Sequence, residues 1–188
     1  MMTIVGLTIV IVQLWLEVAP LRRELETLRA EVGVLGIDDD SKIHAVQVKQ
    51  PGAFHWNWRI WLPKGHDYWF CAASRVPAKG ITRPRHRTRL GTGGREITLR
   101  VGVAPSEEGT RWVYLQSDVN HSPFLEVENT KWVNGVTMIG MDVAGATSQV
   151  SSSVDEPLVL LRLYEDPRSS AKKPPEGLLI WVSNKKTP

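Results

Sequence analysis

The sequence predicts a mainly β protein, in which an antiparallel β-sandwich or jelly-roll-like domain follows one long N-terminal helix. The helix is predicted by an apolar heptad repeat over the first 35 residues, the pattern of a coiled-coil seam. The β domain is predicted by alternating apolar side chains in later segments, which is the period of a strand with one buried face. A small β-barrel is the alternative architecture.

The composition is that of one folded domain with a short extension. The chain has 188 residues, a formal net charge of +3, eight tryptophans and one cysteine, Cys71. The charge is too small to predict nucleic-acid binding by itself. The single cysteine excludes an internal disulfide, so we expect a core that is held by apolar packing.

Residues 1–21 are predicted to be a transmembrane anchor, which makes membrane lipid the first expected partner. No charged side chain occurs from Met1 to Leu16, and Trp15 followed by Arg22 and Arg23 is typical of a membrane interface. A cleaved signal peptide and a soluble helix are the alternatives. We therefore expect a single-pass membrane protein.

Residues 22–36 are predicted to continue the helix as a coiled-coil stalk. Glutamates at g would face arginines at e of a parallel partner helix, so like helices attract and a homodimer is expected. Pro20 lies off the seam and predicts either a kink or a break between two helices. The predicted oligomerisation residues are Leu14, Val18, Leu21, Leu25, Leu28, Val32 and Leu35.

Residues 37–41 are predicted to be a solvated linker. Asp38, Asp39 and Asp40 can bind a divalent cation, but no spaced ligand set follows them. The five histidines are scattered and form no His-x-x-His or Glu-x-x-His pair. We therefore expect neither a metal nor a cofactor.

Residues 42–188 are predicted to form the β-sandwich domain from about eight short strands with turn residues between them. The clearest alternation runs from Phe54 to Leu62. The segments 76–94 and 165–176 are predicted to be long loops. The predicted strands cover 44–50, 54–62, 68–73, 96–103, 111–116, 136–143, 158–164 and 178–182.

Three segments of this domain carry a resemblance to a known group of proteins. They are WRIWLPKG at 58–65, DEPLVLLRL at 155–163 and GLLIW at 177–181. They resemble an uncharacterised bacterial family of single-pass membrane proteins with a short coiled coil and a C-terminal β domain. The resemblance implies an exported domain, but it brings no activity, cofactor or catalytic residue.

The membrane orientation is left open by two opposing indications. Proteins of that family tend to carry basic residues before the apolar segment, and this chain has none there. Arg22, Arg23 and Arg29 follow the segment, which favours a cytoplasmic domain under the positive-inside rule.

Four arginines at every second position form the first candidate ligand site. They are Arg83, Arg85, Arg87 and Arg89, and no acidic residue occurs between Asp67 and Glu96. In an extended chain their guanidinium groups line one side and can hold phosphate, anionic glycan, lipid head groups or nucleic acid. The alternative is a loop whose charge keeps it in solvent.

The tryptophans form the second candidate site, because sugars stack on flat aromatic faces. Trp56 and Trp58 share a face with Phe54 and Ile60, so core packing explains them. Trp61 points to the opposite side and is the candidate ligand-binding tryptophan.

The function predicted first is that of a non-enzymatic, membrane-anchored envelope protein, which displays its β domain on a dimeric stalk for binding or scaffolding. The second is a binding module for an anionic polymer or glycan through Arg83–Arg89 or exposed tryptophans. An enzyme is third, because the chain has no Gly-x-Ser-x-Gly motif and Cys71 lies in an apolar strand.

Overall fold

The computed structural model describes most of the chain, and the described residues form eleven strands. It describes residues 13, 15–22, 24–25, 28, 33–49, 54–77, 79–105, 111–117, 120–127, 139–165 and 176–184. The strands are β1 (Lys42–Gln47), β2 (His55–Leu62), β3 (Asp67–Arg75), β4 (His86–Thr92), β5 (Arg95–Pro105), β6 (Arg111–Ser117), β7 (Asn120–Val127), β8 (Ile139–Val143), β9 (Val150–Ser153), β10 (Leu158–Glu165) and β11 (Glu176–Ser183).

The strands form two antiparallel sheets, which confirms the predicted mainly β fold. Sheet A has the strand order β7-β6-β5-β2-β1-β9, and sheet B has the order β4-β3-β11-β10-β8. The alternation in β2 is also confirmed. Its apolar residues Trp56, Trp58, Ile60 and Leu62 are all buried, whereas Arg59 is half-buried on the opposite face.

Three strands lie where the sequence predicts none. β4 falls inside the predicted 76–94 loop, and β7 and β9 were not predicted. β4 is not predicted because most of its side chains are polar and Leu90 is its one buried residue, so its sequence shows no apolar alternation. In the predicted 165–176 loop, residues 166–175 lie outside the described part of the chain.

The inner core lies between the two sheets. Trp58 and Leu99 from sheet A pack in one buried cluster with Phe70 and Leu160 from sheet B. Trp58 is 0% exposed, and its indole Nε1 donates a hydrogen bond to the Ala144 oxygen at 3.0 Å. This tryptophan therefore fills the core and also fixes the turn that follows β8.

A second apolar cluster covers the outer face of sheet B. Cys71, Leu179 and Trp181 form it together with Val76, and Ile81 packs against it from the segment that precedes β4. Burial raises the pKa of the Cys71 thiol to about 11, so the thiol stays protonated and unreactive at neutral pH.

The prediction of a single-pass membrane helix is wrong. The longest helical run in the described N-terminal residues is 15–22. Within the described residues, no helix has the length and apolarity that a membrane crossing requires. Residues 1–12 of the predicted 1–21 anchor lie outside the described part.

The predicted long coiled-coil helix is not supported either. The last described helical residue is Leu28, residues 29–32 lie outside the described part, and Gly33 has a φ of +71° in the left-handed region. Leu35 lies in non-helical backbone. The described seam residues Val18, Leu21, Leu25 and Leu28 are exposed. Leu14 and Val32 lie outside the described residues, and the homodimer stays a prediction.

Residues 33–41, named the strap below, lie against the outer face of sheet A. The predicted linker 37–41 is part of this segment. Side chains of the sheet and of the turn before β9 hydrogen-bond to strap backbone atoms. The bonds are Arg59 Nη1 to Gly33 O at 3.2 Å, Gln149 Nε2 to Gly36 O at 2.6 Å, His44 Nε2 to Asp39 O at 2.6 Å and Trp61 Nε1 to Asp40 O at 3.1 Å.

Candidate functional site

The arginine row, defined as Arg83, Arg85, Arg87 and Arg89, lies at one edge of sheet B. Arg87 and Arg89 are on β4, which pairs only with β3 among the described strands, while Arg83 and Arg85 precede β4. The side chains of Arg83, Arg85 and Arg89 are exposed, and that of Arg87 is half-buried. The structure thus places two of the four predicted ligand residues, Arg87 and Arg89, on one strand, and the other two just before it, with Arg85 in a bend.

The two arginines of β4 have defined partners on β3. The Arg87 guanidinium carbon lies 4.1 Å from the ring centroid of Trp69, a cation–π contact that holds the side chain flat on the sheet. Arg89 Nη2 donates to Asp67 Oδ1 at 2.9 Å, and this bond lowers the pKa of the Asp67 carboxyl from its ordinary value.

The backbone that carries Arg83 and Arg85 is held in place by hydrogen bonds. Arg162 of β10 donates from Nη1 to the Pro77 oxygen at 2.8 Å, and from Nη2 to the Gly80 oxygen. The amide of Arg85, the residue before β4, donates to the oxygen of Ala72 on β3 at 2.9 Å. These bonds reduce the conformational freedom that a ligand would otherwise have to remove.

The charge of the row is only partly neutralised. Arg89 has a carboxylate partner, whereas no salt bridge reaches Arg83 or Arg85 from the described residues. The chain carries no acidic residue between Asp67 and Glu96 to supply one locally. At Arg83 and Arg85 the edge of sheet B therefore presents exposed guanidinium groups with no salt-bridge partner among the described residues.

A separate polar cleft of about 370 Å³ lies between the strap and the β1–β9 side of sheet A. His44 is 3% exposed in its wall. Its Nε2 must carry the hydrogen, because its partner Asp39 O can only accept, and its Nδ1 then accepts from Gln149 Nε2 at 3.0 Å. Both ring nitrogens are thus used in holding the strap, and neither is available as a catalytic base.

The tryptophans are placed mainly in the interior of the protein. Trp56, Trp58 and Trp181 are buried, and the candidate Trp61 is half-buried with its Nε1 bonded to the strap. Trp132 and the side chain of Trp112 lie outside the described part. None of the described β-domain tryptophans therefore forms an open stacking platform.

Three side chains that matter for these sites are marked by no pattern in the sequence. Arg162, Gln149 and Trp69 act on partners far away in sequence, with Arg162 bonded to Pro77 and Gly80. No local pattern reveals such contacts. Among the described residues, no group of three or more His, Cys, Asp or Glu side chains is placed to hold a metal ion.

No family model, curated protein or solved structure matches this chain. The resemblance to a bacterial membrane-protein family stays a prediction.

Proposed function

We propose that this chain is a binding domain that holds an anionic polymer along the arginine row of sheet B. The observation that carries the proposal is the row itself: Arg83, Arg85 and Arg89 are exposed on a backbone segment that β3 and Arg162 hold in place. Guanidinium groups suit such a ligand because they stay charged and bind carboxylate, sulfate or phosphate oxygens in bidentate geometry.

The spacing of the row suits a repeating ligand. At about 3.3 Å per residue, Arg87 and Arg89 lie ~6.6 Å apart on one face of β4, and Arg83 and Arg85 add two exposed charges just before the strand. A polymer with regularly placed anionic groups can contact several arginines at once, and each further contact is then intramolecular. The arginine row therefore selects ligands by their charge and by the spacing of their anionic groups. It contains no side chain that would act as a nucleophile.

Removal of the exposed arginines is expected to weaken binding strongly. A variant with serine at positions 83, 85 and 89 loses three charged donors, and we expect its affinity for heparin to fall about 10- to 100-fold at low salt. Arg87 is left in place, because its contact with Trp69 is part of the sheet surface. Elution from immobilised heparin at neutral pH, together with the circular dichroism of both proteins, measures the effect.

The control variant removes the same number of charges elsewhere on the chain. It carries serine in place of Arg22, Lys49 and Arg100, all of which are exposed. We expect it to elute close to the unmodified protein. Equal losses of heparin affinity in the two variants would mean that only net charge matters, and the proposal would be abandoned. The proposal would also be abandoned if the unmodified protein did not bind the heparin column at low salt.

Asp67→Asn is expected to act in the opposite direction. The Asp67 carboxylate binds Arg89 at 2.9 Å, and the oxygen of an amide would accept from that guanidinium only as a neutral group, so the substitution weakens the contact and removes a negative charge beside the row. We expect heparin affinity to rise about two- to fivefold. Asp155→Asn, at an exposed aspartate of the β9–β10 turn, is the control, and an unchanged Asp67→Asn protein would contradict the role of Arg89.

A further inference from the structure

The side chain of Gln149 can adopt only one amide orientation beside the strap. Its Oε1 accepts from the Gly36 N–H at 2.7 Å, and its Nε2 donates to the Gly36 oxygen at 2.6 Å. An amide turned over would set donor against donor and oxygen against oxygen at Gly36. The remaining hydrogen of Nε2 is donated to His44 Nδ1 at 3.0 Å. His44 Nδ1 is therefore an acceptor and carries no hydrogen.

The other ring nitrogen of His44 then decides the charge of the ring. Nε2 lies 2.6 Å from the Asp39 oxygen, and because a carbonyl oxygen only accepts, Nε2 carries the hydrogen. With one hydrogen the imidazole is neutral. A second proton on Nδ1 would meet the N–H of Gln149, and the ring is only 3% exposed to water that could accept it instead. The docked strap and a protonated His44 therefore exclude each other.

We propose that the strap is a pH-sensitive switch, which is docked on sheet A while His44 is neutral and is released when His44 takes up a proton. The inference goes beyond the proposed function, because it uses no residue of the arginine row and no contact of sheet B. Release breaks both bonds between Gln149 and Gly36. It opens the polar cleft, since Val34 and Gly36 of the strap line its wall.

The charged groups that line the cleft with His44 do not remove this conflict. Among the described residues they are Asp38 and Asp39 of the strap and Lys42 of β1. Asp39 is paired with Lys42 at 3.0 Å, and hydrogen bonds from Ser41 and Lys42 lower its pKa to about 2, so it stays ionised. Asp38 is exposed, where water screens its attraction for an imidazolium. Histidine is the side chain that ordinarily changes charge between about pH 5 and 8.

The two strands that flank β1 add no further histidine beside His44. On one side, Ser151 of β9 stands opposite His44 in the strand pair. On the other side, Trp61 of β2 stands opposite it and donates to the strap. Arg59, two residues away on β2, is paired with Glu96 and also donates to the strap. The pH dependence of the strap is therefore assigned to His44.

Acid favours the released strap, because only the released imidazole can take up the proton. An imidazole in water has a pKa near 6.5, so it is about 97% protonated at pH 5. The stability of the docked strap is therefore fully present above about pH 7.5 and falls as the pH drops below about 6.5. Between pH 7.5 and pH 5 the opening equilibrium shifts by up to about 30-fold toward release.

Amide hydrogen exchange in the full chain, followed by NMR, tests this switch. The reporter is the Gly36 amide, whose N–H is bonded to Gln149. Its protection factor, which removes the intrinsic effect of pH on exchange, is compared at about pH 7.5 and pH 5. We expect the Gly36 factor to fall by about 10- to 30-fold at the lower pH, while amides in the centre of β2, such as Ile60, change less than about threefold.

His44→Gln is the matched variant, because its amide can still donate to the Asp39 oxygen but does not take up a proton in this pH range. The other four histidines of the chain stay in place. We expect Gly36 protection in this variant to change less than about threefold between the two pH values. An equal fall in both proteins, or no fall in the unmodified protein, would overturn the proposal.

A second measurement applies if the His44→Gln protein does not fold. The NMR chemical shifts of the His44 ring nitrogens in the unmodified protein report the protonation of the ring. We expect the ring to become protonated over the same pH range in which Gly36 loses protection. A ring that is protonated while Gly36 stays protected would show that the docked strap tolerates the imidazolium, and the switch would be wrong.

Discussion

Trp58→Ala is expected to lower the free energy of unfolding by about 3–5 kcal/mol, the usual range for deleting a large buried aromatic side chain. The side chain is 0% exposed and belongs to the cluster that joins the two sheets. The substitution leaves a cavity and also removes the donor to the Ala144 oxygen. Because small domains have only about 5–15 kcal/mol of stability, this loss is a large share of the total.

Urea denaturation followed by circular dichroism measures the effect, and Trp58→Phe is the matched control. Phenylalanine keeps an aromatic ring in the core but cannot donate to Ala144, so we expect a smaller loss of about 1–2 kcal/mol. Trp61→Ala provides the second comparison, because this tryptophan lies half-buried on the opposite face of β2. If Trp58→Ala lowered the free energy of unfolding by less than Trp61→Ala does, the assignment of Trp58 to the core would be contradicted.

The strands that could be predicted from the sequence are those with a local apolar period. In β2 four buried apolar side chains stand at alternate positions, and this pattern predicts both the strand and its buried face. β9 has only four residues, three of them serine, and β4 is mostly arginine, threonine and histidine. Such strands form because a neighbouring strand offers hydrogen bonds to their backbone. Their own residues give no sign of that neighbour.

The N-terminal prediction was wrong because a heptad pattern describes spacing and not the extent of the helix. The leucines continue in register to Leu35, but the backbone turns at Gly33 and then follows sheet A. The strap is held through backbone groups, the carbonyls of Gly33, Gly36, Asp39 and Asp40 and the amide of Gly36. Almost every residue possesses such groups. Such docking leaves almost no signature in the strap sequence itself.

The arginine row was predicted as a candidate ligand site, but its environment was not. Alternation of charge along the chain is a local property, so Arg83, Arg85, Arg87 and Arg89 could be identified directly. The contacts that fix them come from Trp69, Asp67 and Arg162 on other strands. These three residues reach the arginines because of the order of the strands in sheet B. The pattern of strands along the sequence does not determine that order.

Gln149→Ala is expected to release the strap and to lower the free energy of unfolding by about 2–3 kcal/mol. The Gln149 amide accepts from the Gly36 N–H at 2.7 Å, donates to the Gly36 oxygen at 2.6 Å and donates to His44 Nδ1 at 3.0 Å. Alanine leaves these part-buried groups without their partner, and an unsatisfied buried donor or acceptor costs about 1–3 kcal/mol.

Hydrogen exchange at the Gly36 amide separates release of the strap from a general loss of stability. In the Gln149→Ala protein this amide should exchange much faster than amides in β2, because the opening is local to the strap. Gln47→Ala is the control: Gln47 lies on the neighbouring β1 strand and is also half-buried, and we expect a loss below about 1 kcal/mol with Gly36 still protected. Unchanged protection of Gly36 in the Gln149→Ala protein would show that Arg59, His44 and Trp61 hold the strap without it.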